Sequence, residues 1–444
     1  MRSMRSLVRY LKEFARAHLT PVRYPPGLLR PRAPPVQSDQ RALIKLAARL
    51  GPVFKQWAGR HTTYIVGHKR ARRFLAEHED KISSISVDLA PIVPGGWIRQ
   101  MRGETHRHYR RILLEALQAT LLAEHEAAIR AAIAGALGAV AAHPGPPVAL
   151  AAFIRQQLRA AARSVMIRLF LGVPADDPLF PELSRLYDRF GPEAPVARVE
   201  SGNAEAYRTI RTLMLQRVAA MPERPPAMMS ALRAMVERDA VDDTSLGHVI
   251  FMVEPGYFDV CSLWRWVMKI LADNPATVAE IAPVIAGGGE AAQRMVDAVG
   301  KECLRLEQSE ILFKRAHQQC AIDGMRVPAN SEVRVCLWEG HKDAGVFPEP
   351  FAFRPQRFLE REYSLDEYAP FGLDKHRCLG SAIVLFVTAI FVEELFARRP
   401  WQVVGDGPPV YGIYHWEPNP AFAVRLATEA NAITRPSARI DRDA

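Results

Sequence analysis

The chain has 444 residues, 49% of them hydrophobic, enough for a large core, and its 58 Lys+Arg against 48 Asp+Glu give a formal net charge of +10. Five cysteines (Cys261, Cys303, Cys320, Cys336, Cys378) are odd in number and scattered without metal-ligand spacing. That argues against a zinc site and a disulfide framework and favours a reducing compartment. The basic balance would suit nucleic acid, but no binding motif is present and the aromatics do not interleave with the basic runs, so nucleic acid is not expected.

Length alone suggests about two or three domains. No Pro/Gly/Ser linker, internal repeat or low-complexity tract divides the chain, so one domain is expected over 41–428. It follows a basic, amphipathic and Pro-rich segment, 1–40, and precedes a tail, 429–444, expected to be flexible. In the first segment Met4, Leu7, Val8, Leu11, Phe14 and Ala15 share a helical face, with Arg2, Arg5, Arg9, Lys12 and Arg16 elsewhere. The run is far short of the ~20 apolar residues of a spanning helix, and it lacks the apolar core and cleavage site of a signal peptide. Residues 1–20 could lie on an anionic membrane surface or dock on the protein's own body. A cytoplasmic location, with or without that peripheral contact, is expected.

Pro-rich residues 23–35 follow, then strand patterns at 53–57 and 62–66. Segment 82–97 is apolar at Ile85, Val87, Leu89, Ile92, Val93 and Trp97, which suits a lipophilic pocket or simply core. The run M-R-G-E-T-H-R-H-Y-R-R sets His106 and Arg110 one above the other on a helix. Helices are expected at 121–142, 204–220, 226–239, 243–273, 275–286 and 290–306. In the last, Glu302 and Arg305 are spaced to pair on one face, though such pairs are common and weak at surfaces. Strand-like runs lie at 320–327, turning through Asp323 and Gly324, and at 333–338. After F-A-F-R-P-Q-R-F-L (351–359) comes P-F-G-L-D-K-H-R-C-L-G (370–380), leading into a helix at 379–397. A strand pair around 410–414 and 421–426 closes the series. The fold class is mainly α with a small β region.

Cys378 is framed by Phe371 and Gly372 upstream and Gly380 downstream. The glycines allow a tight turn with positive φ, so backbone N–H groups can point at the sulfur. The next helix adds its positive N-terminal end, which favours a thiolate. Such a thiolate can serve as an axial ligand of haem iron; the alternative is a loop cysteine that merely packs. The run resembles the cysteine loop of the cytochrome P450 family, of soluble bacterial type. The order Glu-x-x-Arg, then the segment with Arg357, then the loop is the family's order, and the likeness spans roughly Leu50 to Ala427.

The resemblance implies the cytochrome P450 fold and a b-type haem whose iron is held by Cys378. It implies a buried network of Glu302, Arg305 and Arg357 supporting the loop, and haem propionates held by His106, Arg110, His376 and Arg315. It implies a monooxygenase acting on a lipophilic small molecule, such as a terpenoid, fatty or aromatic compound of secondary metabolism. Electrons would come ultimately from NAD(P)H through an acidic ferredoxin or flavodoxin, steered by Lys375, Arg377, Arg110 and Arg111. The pocket would draw on 82–97, 254–259 and 309–313.

The likeness breaks on the long helix. Where the family shows a small residue, Gly, any residue, an acid and Thr, this chain reads Pro255, Gly256, Tyr257, Phe258 and Asp259. Phe258 holds the acid position and Asp259 the alcohol position, although a shift of one residue would return Asp259 to the acid position. Pro255 costs ~3 kcal/mol in a regular helix interior and less in a bulged one. Asp374 also stands where the loop usually has a third glycine. Three accounts stay open. Asp259 delivers protons in an ordinary monooxygenase; the enzyme uses peroxide or is non-oxidative, an isomerase or dehydratase; or the chain binds haem without turnover.

Overall fold

Asp242 opens the longest helix with a reciprocal cap: its carboxylate accepts from Ser245 N–H at 2.6 Å, and Ser245 Oγ accepts from Asp242 N–H at 2.8 Å. This is a computed structural model, and it describes residues 2–19, 23–27, 29, 39–85, 88–90, 92–190, 200–220, 229–412 and 415–429. Val87, Tyr414, residues 226–228, most of the Pro-rich stretch and the tail from 430 lie outside the described residues, as do the side chains of Arg2, Met4, Arg5 and Arg16.

The helices in chain order are α1 (Arg2–His18), α2 (Ala42–Leu50), α3 (His68–Glu77), α4 (Gly103–Gln118) and α5 (Leu122–Ala142). Next come α6 (Pro147–Met166), α7 (Phe180–Phe190), α8 (Ser201–Ala219), α9 (Ala231–Glu237) and α10 (Asp243–Asp273). The series ends with α11 (Pro275–Gly287), α12 (Gly289–Leu306), α13 (Leu337–Gly340), α14 (Arg357–Glu360) and α15 (Ser381–Phe396). Helix α10 is buried on nearly every side, as a helix with an apolar surface all round must be. It packs along α6 and also against α12 and α15. Among the described residues no helix is long and apolar enough to cross a membrane.

The main sheet is made of β1 (Val53–Trp57), β2 (His61–Val66), β3 (Ile82–Ser84), β4 (Ile311–Ala316) and β7 (Glu332–Cys336), in the order β1-β2-β7-β4-β3. Only β2 and β7 run parallel in it. A hairpin of β5 (Cys320–Ile322) and β6 (Met325–Val327) turns through Asp323 and Gly324, both at positive φ. Near the C-terminus are β8 (Gln402–Gly405), β9 (Val410–Tyr411), β10 (Trp416–Glu417) and β11 (Ala423–Arg425).

Two expectations need correction. The helix expected over 226–239 is the shorter α9, started by the Ser230 cap on Arg233 N–H and ended before Asp239, whose φ is 51°. The expected strands 410–414 and 421–426 do not pair with each other. Instead β9 pairs with β10 and β11 with β8, because the Gly412 N–H bonds the His415 carbonyl at 3.0 Å and folds the chain back at once. That places His415 immediately before β10.

Candidate active site

The cysteine loop is pinned by its own backbone. Cys378 N–H bonds the Phe371 carbonyl at 3.0 Å, and Gly372 takes φ 98°, a conformation that favours glycine. Asp374 caps the turn: its carboxylate accepts from His376 N–H at 2.9 Å and lies 2.6 Å from Lys314 Nζ. Glycine at that position could do neither. Cys378 is open to a cavity that it lines, deep in the surrounding protein. Desolvation there pushes its thiol pKa up, and the Gly380 N–H and the charges of Arg99 and Arg110 only partly oppose it.

Glu302, Arg305 and Arg357 converge. Arg305 grips Glu302 with Nε at 2.7 Å and Nη2 at 2.8 Å, and Arg357 Nε reaches the same carboxylate at 3.1 Å. Glu302 and Arg305 are fully buried. Arg305 also donates to the carbonyls of His341, Pro350 and Ala352, and Arg357 to that of Pro348. The charges are thereby paired and the segment before the loop is tied to α12. Such pairing is what makes buried charge tolerable.

The other cations divide. His106 on α4 and His376 in the loop set their rings 4.2 Å apart and tilted by 47°, and Arg110 Nη1 donates to the Arg377 carbonyl at 2.9 Å. Burial, with Lys375 and Arg110, pushes the His106 pKa down to about 4. Burial, with the charges of Lys314, His106 and Lys375, pushes His376 down to about 3 against the pull of Asp374. Arg315 departs from expectation: it pairs with Glu332 at 3.0 Å and does not line the cavity. Successive strand side chains face opposite ways, so it is Lys314 that turns towards the cysteine loop. Arg99 lines the cavity instead, paired with Glu310.

The cavity has a volume of about 240 Å³. Leu89, Trp97, Met166, Phe170, Phe251 and Ile383 give it apolar walls. From α10 come Glu254, Pro255, Gly256 and Asp259, whereas Phe258 is packed in the core and does not line it. Gly256 approaches α6 closely: a Cβ there would lie 3.2 Å from Met166 Sδ, a tight contact with a flexible side chain. Of segment 82–97, Leu89, Trp97 and Ile98 just beyond it reach the cavity; Ile92 and Val93 are core and Ile85 is exposed. Of 309–313 only Glu310 does, joined by Gln308. His415, not anticipated from sequence, lines the cavity with Nε2 3.2 Å from Asp259 Oδ1.

A family model described as cytochrome P450 matches residues 266–409. Tabersonine 6,7-epoxidase isoform 1 of Catharanthus roseus is 29% identical over 159 residues, 32% of this chain and 31% of that protein. Geraniol 8-hydroxylase of Swertia mussotii is 29% identical over 165 residues, 33% of each. The matched segment thus spans about a third of the length of these relatives. The retinoic acid-bound cyanobacterial CYP120A1 superposes with TM-score 0.69 at 19% identity, covering 92% of this chain and 99% of that one. CYP109Q5 from Chondromyces apiculatus gives 0.68 at 18%, covering 90% and 98%. The architecture is the cytochrome P450 fold. The segment that the family model matches holds Glu302, Arg305, Arg357 and Cys378.

The family's cofactor is haem, and the residues present fit it. Besides Cys378, four buried nitrogens of cavity-lining residues lack a partner among the described residues: His106 Nε2, His376 Nδ1, Arg99 Nε and Arg377 Nε. Orphaned buried donors of this kind call for an acceptor, and haem carboxylates are acceptors.

Proposed function

We propose that the chain is a haem-thiolate monooxygenase that oxidises a lipophilic small molecule with dioxygen. The observation carrying this reading is the placement of Cys378 and Asp259 in one apolar-walled cavity. Cys378 would hold the iron, and His106, Arg110 and His376, with Arg99 rather than Arg315, would hold the propionates. Bound there, haem supplies oxygen activation, which thiolate donation favours. Asp259 stands where the family has its alcohol and offers the cavity a carboxyl group able to hold a proton. The similar proteins named above are an epoxidase and a hydroxylase, and both names describe insertion of oxygen. That supports monooxygenation over isomerase or dehydratase chemistry. The missing alcohol makes peroxide use the alternative to exclude.

Glu302, Arg305 and Arg357 serve as scaffold for the loop. Electrons would arrive from an acidic ferredoxin or flavodoxin at the depression edged by Arg107, Arg110, Arg111 and Lys375. On α1, Tyr10 packs against Trp57 and Glu13 accepts from the His61 N–H, while Leu7, Val8 and Leu11 stay exposed. The helix is docked on one side and apolar on the other, which supports peripheral contact with an anionic membrane.

The test is reconstitution with haem, a ferredoxin system and a panel of lipophilic compounds, with isotopically labelled dioxygen. The expected result is a product carrying one labelled oxygen atom. Products formed with peroxide but never with dioxygen and reductant would contradict it.

A further inference from the structure

We infer that His415 is the positioning partner of Asp259 and that the two form a proton-holding pair facing the cavity. The inference rests on the monooxygenase reading of that cavity. The β9–β10 hairpin carries His415 over α10, and Gln308 Nε2 fixes the same turn of the helix by donating to the Asp259 carbonyl at 2.6 Å.

Hydrogen-bond bookkeeping defines the pair. His415 Nδ1 lies 3.1 Å from the Trp416 carbonyl, which can only accept, so Nδ1 carries a proton. The remaining contact, Nε2 to Asp259 Oδ1 at 3.2 Å, then needs one proton, on the ring or on the carboxyl. In either arrangement the pair is neutral overall and holds one transferable proton. The Asp259 side chain is 42% exposed and lines the cavity, whereas that of His415 is 6% exposed. Asp259 is therefore the outlet and His415 the reserve. That single proton passes from His415 Nε2 to Asp259 and leaves from there for an acceptor oxygen in the cavity. The pair then carries one negative charge, which a proton from cavity water restores.

The groups around the pair agree. Burial pulls the His415 pKa down, but Asp259, Glu417 on the hairpin and the Trp416 carbonyl outweigh it and set it above the ordinary value. Cys378 faces Asp259 from the loop side. This arrangement replaces the acid and alcohol of consecutive helix positions with an acid and an imidazole brought together by tertiary structure.

Two measurements test it. In the full-length chain without haem, histidine ring resonances are titrated by NMR, with His415 assigned by its loss in His415→Gln. Its pKa is expected above about 6.5 and lower in Asp259→Asn. An unshifted His415, or one indifferent to Asp259→Asn, overturns the pair. In the haem-loaded enzyme, His415→Gln should lower dioxygen-driven turnover by ~10-fold or more, within the reach of general acid–base effects, while peroxide-driven turnover changes much less. Equal losses by both routes would overturn the proton role. The first measurement fails only if the pair is wrong; absence of dioxygen-driven product in the wild type would fail the monooxygenase reading.

Discussion

Lys314 Nζ lies 2.6 Å from Asp374 Oδ2, an ion pair largely withdrawn from solvent that ties strand β4 to the cysteine loop. Burial lowers the Lys314 pKa. Burial pulls Asp374 upward but is overcome by the Lys314 charge and hydrogen bond, leaving its pKa below the ordinary value. Breaking one side strands the other. Lys314→Met should destabilise the fold by about 3–5 kcal/mol, and adding Asp374→Asn should recover a large part of it. Urea unfolding of the two single variants and the double variant checks this. Additive losses would mean the groups do not interact.

Glu302 presents the same physics with a larger stake, because its one buried carboxylate is shared by two guanidiniums. Glu302→Ala and Arg305→Ala should each cost about 3–5 kcal/mol and yield protein that aggregates or fails to retain haem. Soluble, haem-loaded variants of normal thermal stability would reduce the trio to a dispensable bridge.

Acid should weaken the support of the loop through His341. Its Nε2 accepts from the Ala369 N–H at 3.0 Å and its Nδ1 meets Ser309 Oγ at 2.8 Å, the pattern of a neutral ring. Burial, then the charges of His68, Lys342 and Arg305, holds its pKa well below 6.5. The unfolded chain therefore binds a proton that the folded chain refuses. Stability from this group is complete above about pH 6.5 and is lost as the pH falls below it, by at most about 1.4 kcal/mol per pH unit. Urea midpoints at pH 7.5 and 5 should differ more in the wild type than in His341→Gln.

Membrane contact through α1 should depend on Leu7 and Leu11, which are 55% and 54% exposed. Co-sedimentation with anionic vesicles is expected to weaken with salt and to drop several-fold in the double variant Leu7→Asn, Leu11→Asn. Equal sedimentation of variant and wild type would leave α1 simply docked on Trp57.

What was legible in the sequence was what short spacing encodes. Cys378 with its glycines, and Glu302 with Arg305, lie on local turns whose geometry follows from residue order. Helix α10 was legible end to end, because Asp243 and the Asn274-Pro275 stop bracket a mostly apolar run. Arg315 lies off the cavity because strand period is two, so an offset of one residue exchanges it for Lys314, which reaches the cysteine loop. Phe258 differs from Asp259 for the equivalent helical reason: it is packed in the core while Asp259 lines the cavity. His415 had no local signal beyond a histidine between aromatic residues in a turn. Its partner lies 156 positions away, and only the hairpin brings them together.

The central claim is that Cys378 is the haem iron's protein ligand, and the carbon-monoxide complex of the reduced protein tests it most directly. Wild type, Cys261→Ala and Cys320→Ala should all show the red-shifted absorption band of a thiolate-ligated haem, and Cys378→Ala should lose it. A Cys378→Ala protein that keeps the thiolate spectrum unchanged would contradict the account.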